Sequence, residues 1–316
     1  MDRRTVTGLL FALLLLLFAA AALNSMRNRN REYTFVFPVM GTVCQCTFEI
    51  DKGTPEEALS AVNDAFAQVM QLANLRDRQS ELSILNASAA KAPFVCSEEM
   101  YHLLCASRRA HRISDGWFDI SVKPLMDLWG FYRKRGKTPS AQEIAKTKAL
   151  CGLEKVKFND AERSVFFPVS GMAFDLGGIA KGYALDLAVK NLSSRGIVIR
   201  RGTIDLGGNI RLLGDRQVYR IGIKDPSAPD RIREVVELVS PGAVSSSGDY
   251  ERYVVLDGRK FGHIIDPFSG TPAPRDHAAT VYAPDGITSD WSSTVIYLAG
   301  KTLPESVCGK SWIIKK

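Results

Sequence analysis

The sequence contains no Cys-x-x-Cys pair, so a thioredoxin-like redox motif and the usual paired zinc ligands are absent. It has no Gly-x-Gly-x-x-Gly and no Gly-x-x-x-x-Gly-Lys-Ser/Thr, which sets aside the Rossmann fingerprint and the P-loop. No Gly-x-Ser-x-Gly elbow is present to expose a nucleophilic serine. Histidine is scarce, with only His102, His111, His263 and His277. From Tyr33 onward there is no long linker and no low-complexity tract. No Lys/Arg block stands out, which makes nucleic acid a weak candidate partner.

The 316 residues are 46% hydrophobic and 24% charged, enough apolar content for a sizeable core and too much for a disordered chain. The net charge is +7. Residues 1–32 contribute +3 of it, from Arg3, Arg4, Arg27, Arg29 and Arg31 against Asp2 and Glu32. A mildly basic body suits an anionic ligand. Arg3 and Arg4 precede an apolar run of 16 residues from Gly8 to Leu23, shorter than the ~20 that span a bilayer comfortably. A basic start, an apolar middle and the small residues Ala19 to Ala22 predict a secretory signal or a retained N-terminal membrane anchor. Arg27, Arg29 and Arg31 argue the other way, because positive flanks normally stay inside. The six cysteines allow 15 pairings and nothing in their spacing selects one. Cys44 and Cys46 lie two apart in a predicted strand and read as small apolar residues on one face.

Tyr33 to Phe37 and Thr42 to Ile50 alternate as strands, with a break at Pro38 and Gly41. Thr54 to Leu75 has helical spacing, with Ala58, Val62, Phe66 and Met70 on one stripe. Helices are also predicted over Ser97 to Ser114, Ser140 to Ala149, Ile179 to Leu192 and Asp290 to Leu298. Met172 to Leu176 and Gly196 to Ile204 read as strands. Each leads into the tetrapeptide Asp-Leu-Gly-Gly, at Asp175 and again at Asp205, which predicts two similar strand ends. Strands and helices mix without strict alternation. This predicts an α+β, or mixed α/β, fold with largely antiparallel sheet and flanking helices over 33–316.

Four segments can carry chemistry. In Asp175 to Gly182 a glycine pair opens a helix, which offers backbone N–H groups and the positive helix end to an anion, and Lys181 adds charge. The same pattern is compatible with a plain strand-to-helix turn. Asp290 and Thr294 share a helix face and are hard oxygen donors suited to Mg²⁺ or Ca²⁺, unless Asp290 is only a helix cap. His263 precedes an Asp-Pro turn and is either a general base or a structural partner of Asp266. Ser245 to Tyr250 is either a phosphate-binding turn or a hairpin loop.

Taken together and in order, several stretches resemble the FAD:protein FMN transferase (ApbE) family. They are Met40 to Thr42, Ser80 to Asn86, Gly116 to Leu125 with Leu128 to Gly130, Asp175 to Asp186, Asp205 to Asn209, Ser246 to Arg252, His263 to Pro272, and Ser289-Asp290 with Thr294. The resemblance implies that Met40, Trp117, Phe118, Asp119, Asp175, Lys181 and Ile265 contact FAD. It implies that Asp290 and Thr294 ligate Mg²⁺ with further oxygen from near Gly178 and from Ser293, and that His263 serves the transfer step. The implied reaction attaches FMN through its phosphate to a Thr or Ser hydroxyl of an acceptor protein and releases AMP. The implied acceptors are exported redox subunits of membrane electron-transfer complexes, on the periplasmic side of a bacterial inner membrane. An FAD pyrophosphatase or a non-catalytic flavin carrier would use the same binding residues. Where the family usually carries an aromatic residue before Ser80, this chain has Leu75-Arg76. The tail after Leu298 is shorter than usual, and the resemblance implies that a long helix there is cut.

Overall fold

A computed structural model describes residues 31–248, 252–273 and 276–315. The leader, Asp249 and Tyr250 lie outside the described residues. The chain opens with a hairpin of β1 (Glu32–Val39) and β2 (Thr42–Lys52). Helices α1 (Pro55–Ala73), α2 (Glu81–Ser88) and α3 (Glu98–Ile113) follow, with the short strand β3 (Phe94–Val95) between the last two. Next come α4 (Lys123–Leu128), α5 (Ala141–Lys148), β4 (Lys157–Asn159), β5 (Ser164–Phe166) and α6 (Ala180–Ser194). Strands β6 (Val198–Leu206), β7 (Asn209–Leu213), β8 (Val218–Asp225), β9 (Ala228–Val239), β10 (Gly242–Ser247), β11 (Tyr253–Leu256), β12 (Arg259–Gly262) and β13 (His277–Ala283) precede α7 (Gly286–Ala299), α8 (Glu305–Cys308) and β14 (Lys310–Lys315).

Seven strands form one antiparallel sheet in the order β1-β2-β6-β7-β10-β13-β14. Pro38 sits inside β1 and does not end it, because β1 is an edge strand and a missing N–H costs nothing on its open side. The tail after Leu298 supplies the opposite edge strand, β14. Helix α1 starts at a capping box, in which Thr54 accepts from Glu57 N–H and Glu57 accepts from Thr54 N–H. Its buried stripe is Ala58, Ala61, Val62, Ala65, Phe66, Val69 and Leu72, and Met70 turns aside toward a cavity.

One face of the sheet changes character along its width. Cys44, Cys46 and Phe48 on β2 pair with Leu206, Ile204 and Gly202 on β6, and their side chains pack into the main apolar core with α1. The two thiols are unpaired cysteines 3.7 Å apart and fully buried. On β7 and β10 the same face presents Asn209, Arg211, Ser245 and Ser247, all buried. Buried polar groups need partners. Here Ser245 meets Ser289 and Ser247 meets Ser293, which fastens α7 to the sheet by hydroxyl pairs in place of apolar contact. The hairpin β8–β9 covers part of the other face through Tyr219 and Leu238.

Met172 to Leu176 is not a regular strand. It makes one isolated parallel bridge, Val122 to Ala173. The backbone of Phe174 is satisfied at both ends by one side chain, with Asn86 donating to its carbonyl at 2.9 Å and accepting from its N–H at 2.7 Å. A local amide has replaced the ladder. The two Asp-Leu-Gly-Gly segments also differ. At Asp205 the glycines form a two-residue hairpin turn with φ of 61° and 87°, joining β6 to β7. At Asp175 they lead into α6, with Asp175 accepting from Gly177 N–H at 2.8 Å.

Candidate functional site

Helices α6 and α7 cross at two glycines. A Cβ on Gly182 would lie 2.1 Å from the Gly286 carbonyl oxygen, so only glycine allows the backbones this close. The crossing lets each helix cap the other. Asp290 of α7 accepts from Gly182 N–H, in the first turn of α6, at 2.9 Å. Asp186 of α6 accepts from Gly286 and Ile287 N–H, in the first turn of α7, at 2.7 and 2.9 Å. First-turn N–H groups have no partner within their own helix, and the helix dipole favours a carboxylate there. Asp186 is steadied by Arg211, 3.6 Å away, which also donates to Pro284 O at 2.8 Å.

Asp290 is buried, and burial pushes its carboxyl above the ordinary carboxylate range. Lys181, the Asn209 amide and the Gly182 N–H pull the other way. Among the described residues the Asn209 amide nitrogen has no partner at hydrogen-bonding distance, yet it stands near enough to Asp290 to help hold that charge. Its carbonyl accepts from Lys181 Nζ at 3.3 Å. A buried carboxylate with this much desolvation and incomplete pairing is the environment of a cation ligand. Thr294 Oγ1, one turn on, reaches Ser247 Oγ and Asp290 O only at 3.4 Å each. A Cβ on Gly178 would lie 3.6 Å from Thr294 Oγ1, which puts the Gly178 backbone beside that hydroxyl. The donors are one carboxylate, one hydroxyl and backbone oxygen, a hard set that fits Mg²⁺. Among the described residues there is no group of three His, Cys, Asp or Glu side chains that would suit a softer metal.

These groups line a cavity of about 930 Å³, at the upper end of the range for small-molecule sites. Met40, Trp117, Phe118, Asp119, Asp175, Gly178, Lys181, His263, Ile265, Asp290 and Thr294 all border it. Ser293 does not. Its hydroxyl is turned to Ser247 Oγ and Asp290 O, both at 2.9 Å. Met40 is brought in by a strained position, φ 50°, in the two-residue turn it shares with Gly41. Phe118 packs behind Gly178 and against Trp291. Asp119 organises its own loop, accepting from Ser121 and Leu153 N–H at 2.7 and 3.2 Å, and burial raises its pKa. His111 holds the Phe118 carbonyl at 2.9 Å.

His263 Nδ1 lies 3.2 Å from the Arg252 carbonyl. A carbonyl only accepts, so Nδ1 carries the ring proton and Nε2 is the basic nitrogen of the neutral ring. Its Asp266 partner of the alternative reading is instead taken up by the N–H groups of Phe268 and Ser269. Asp175 is shared between Gly177 N–H and the Tyr132 hydroxyl, the latter at 2.8 Å. Tyr132 borders the cavity between Lys123 Nζ and the Arg252 guanidinium, 4.6 and 5.0 Å from its ring. Burial raises its pKa and neighbouring Asp175 adds to that. Sequence reasoning did not single out Tyr132. An isolated Phe-Tyr pair after a Trp-Gly turn carries no spacing signal. Leu75 and Arg76 border the cavity at the place where an aromatic residue was missing.

Asp186→Ala is expected to lower stability by about 1–3 kcal/mol, the cost of orphaning buried N–H groups. At roughly 2–4 °C per kcal/mol this is a drop of several degrees in Tm, measurable by differential scanning fluorimetry. A melting curve superimposable on the parent's would show that α7 does not depend on this cap.

A family model described as the ApbE family matches residues 40–309. The chain is 30% identical over 295 residues to the FAD:protein FMN transferase of Treponema pallidum (strain Nichols), covering 87% of this chain and 80% of that one. It is 32% identical over 254 residues to the protein of the same name from Vibrio cholerae, covering 78% and 72%. Among solved structures, the ApbE protein of Thermotoga maritima is 31% identical with a TM-score of 0.82, covering 90% of this chain and 94% of that one. The flavin transferase ApbE of Vibrio cholerae is 25% identical with a TM-score of 0.72, covering 85% and 87%.

Proposed function

This chain belongs to the ApbE family, and we propose on that premise that it is a Mg²⁺-dependent FAD:protein FMN transferase acting at the α6–α7 crossing. The observation that carries the proposal is the convergence of Asp290, Thr294, Gly178 and Lys181 with His263 in one cavity. FAD is the substrate. The acceptor hydroxyl oxygen bonds to the flavin-side phosphorus as the bond to the bridging oxygen breaks, and AMP leaves. Such displacements need alignment and charge neutralisation more than covalent catalysis. Lys181 and the first turn of α6, which border the cavity, would balance diphosphate charge. Asp290, Thr294 and the backbone near Gly178 would hold Mg²⁺, which supplies further neutralisation of the phosphate oxygens. His263 Nε2 takes the proton of the attacking hydroxyl. Asp175, Tyr132 and the Met40 turn hold the organic part of the substrate.

His263→Ala is expected to lower transfer by about 10² to 10⁴-fold, the usual value of a positioned base, while FAD affinity changes little. Rate is read by covalent flavin fluorescence on the acceptor and affinity by flavin fluorescence quenching. Equal loss of both would make His263 a binding residue only. The reaction itself is tested by coexpression with candidate acceptors and mass spectrometry for added FMN on Thr or Ser. Free FMN and AMP with no labelled protein would mean a pyrophosphatase instead.

The same reading places the enzyme on the outer side of a bacterial membrane, with exported redox subunits as acceptors. It is supported by Arg3, Arg4 and the apolar run Gly8 to Leu23, which lie outside the described residues. Among the described residues no helix is long and apolar enough to cross a membrane.

A further inference from the structure

The positive charge of the body is gathered beside the His263 side of the cavity. The segment 131–138 carries Arg133, Lys134, Arg135 and Lys137, a run whose weight is invisible until its neighbour in space is known. That neighbour is the β11–β12 hairpin with the residues flanking it, 252–263, which carries Arg252, Arg259 and Lys260. Two contacts bind the segments side by side. Near the cavity Arg252 Nη2 donates to Phe131 O at 2.9 Å, and at the hairpin tip Thr138 N–H donates to Asp257 Oδ2 at 2.9 Å. Between them the Trp129 and Phe261 rings meet at a tilt, 5.1 Å between centroids, over a small core shared with α4 and α5.

The two segments hold seven cations and one carboxylate, Asp257, and that carboxylate is occupied by the Thr138 backbone. Arg135 is engaged by Glu143 of α5 at 2.8 Å. Arg133, Lys134, Lys137, Arg259 and Lys260 are exposed. The excess of six charges here exceeds the +4 of residues 33–316 as a whole, so the rest of that body is close to neutral or acidic. Arg252 and His263, joined by backbone and ring hydrogen bonds, mark where the ridge meets the cavity. The hairpin then runs outward for roughly 10 Å at ~3.3 Å per residue.

Resting on the transferase reading, the acceptor is a protein whose hydroxyl must enter at His263, so the surface flanking His263 must meet that protein. We propose that this basic ridge, Arg133–Lys137 with Arg259 and Lys260, is the acceptor-docking surface and that it fits an acidic polypeptide segment. Charges at the rim of an interface set encounter rate, orientation and salt dependence, and exposed pairs weaken beyond a Debye length as salt rises.

The test uses the purified full chain and a fluorescein-labelled decaglutamate peptide, followed by anisotropy at several salt concentrations. Saturable binding is expected at low salt, falling as salt rises and unchanged by saturating FAD. The reversal Arg133→Glu with Lys137→Glu and Arg259→Glu is expected to weaken it at least about tenfold, in line with loss of several rim pairs. The control reversal Lys91→Glu with Lys301→Glu and Lys310→Glu, three exposed cations in neither segment, should leave it within about twofold. Neutral Gln replacements at the three ridge positions, with Tm recorded, separate lost charge from lost folding. No saturable binding, displacement by FAD, or equal loss in both reversal variants would overturn the proposal. So would phosphatidylglycerol vesicles binding through the ridge with decaglutamate unable to compete, which would assign the face to lipid. FAD affinity of the parent, measured separately, reports on the transferase reading and not on the ridge.

Discussion

Asp290→Asn is expected to abolish FMN transfer while leaving the apo-protein as stable as the parent, or more so. The substitution keeps an oxygen that accepts from Gly182 N–H, so the cap across the helices survives. What disappears is a buried negative charge. Desolvation already holds that carboxyl above its ordinary range in spite of Lys181 and Asn209, so its ionised form is a net cost to the apo fold. The raised pKa sets the sign of the pH dependence. The group's contribution to apo stability is fully present below the ordinary carboxylate pKa and is lost as pH rises through the elevated one. A cation that binds the carboxylate competes with that proton, so stabilisation by Mg²⁺ should grow over the same interval. For transfer, a metal supplies several kcal/mol of charge stabilisation, and about 4 kcal/mol at 1.36 per decade is roughly a thousandfold. The paired measurements are covalent flavinylation rate and the Tm shift on adding Mg²⁺, each for parent and variant. A variant that still flavinylates in a Mg²⁺-dependent way would remove Asp290 from the metal site.

Gly182→Ala is expected to damage both fold and activity, although alanine is the better helix former by about 1 kcal/mol. The new methyl would sit 2.1 Å from Gly286 O, 2.5 Å from its carbonyl carbon and 2.8 Å from Asp290 Cβ. Two of those atoms are backbone of α7, which is itself fastened to β10 by the serine pairs and cannot simply tilt away. Overpacking of this kind costs about 1–3 kcal/mol or more, which outweighs the propensity gain. The helices must separate, and separation withdraws Asp290 from Gly182 N–H. The expected result is a fall in Tm of about 5 °C or more and loss of the Mg²⁺-induced shift. Gly178→Ala is the contrast. Its methyl would meet Phe118 Cε2 at 3.2 Å, an aromatic edge that need shift by only a few tenths of an ångström where Gly182 would drive into backbone, and should cost the fold far less. If Gly182→Ala melted within a degree of the parent, the close crossing would not be what positions the site.

Helices were readable where their patterns are local. The stripe Ala58, Val62, Phe66 places α1 because side chains at 3.6-residue spacing face one way whatever the rest of the chain does. Met70 was misplaced on that stripe because which residue at its edge meets the core and which meets a cavity depends on what packs there. Met172 to Leu176 reads as a strand from its apolar run, but Asn86, 88 residues away, takes over the Phe174 backbone. The two Asp-Leu-Gly-Gly copies make the same point more sharply. One sequence becomes a hairpin turn where strands flank it on both sides and a helix entry where a helix follows.

The resemblance of eight stretches in order gave the family, local patterns gave the antiparallel α+β class, and Asp290 and Thr294 were legible as two hard oxygen donors on one helix face. Four features needed the folded chain: Asp290 caps a helix 108 residues away, Asp186 returns the cap, Ser293 faces the sheet and not the cavity, and two separate basic segments form one ridge beside His263. Hydrogen bonds and desolvation act at contact distance, and which distant residues come into contact is settled by the packing of the whole chain.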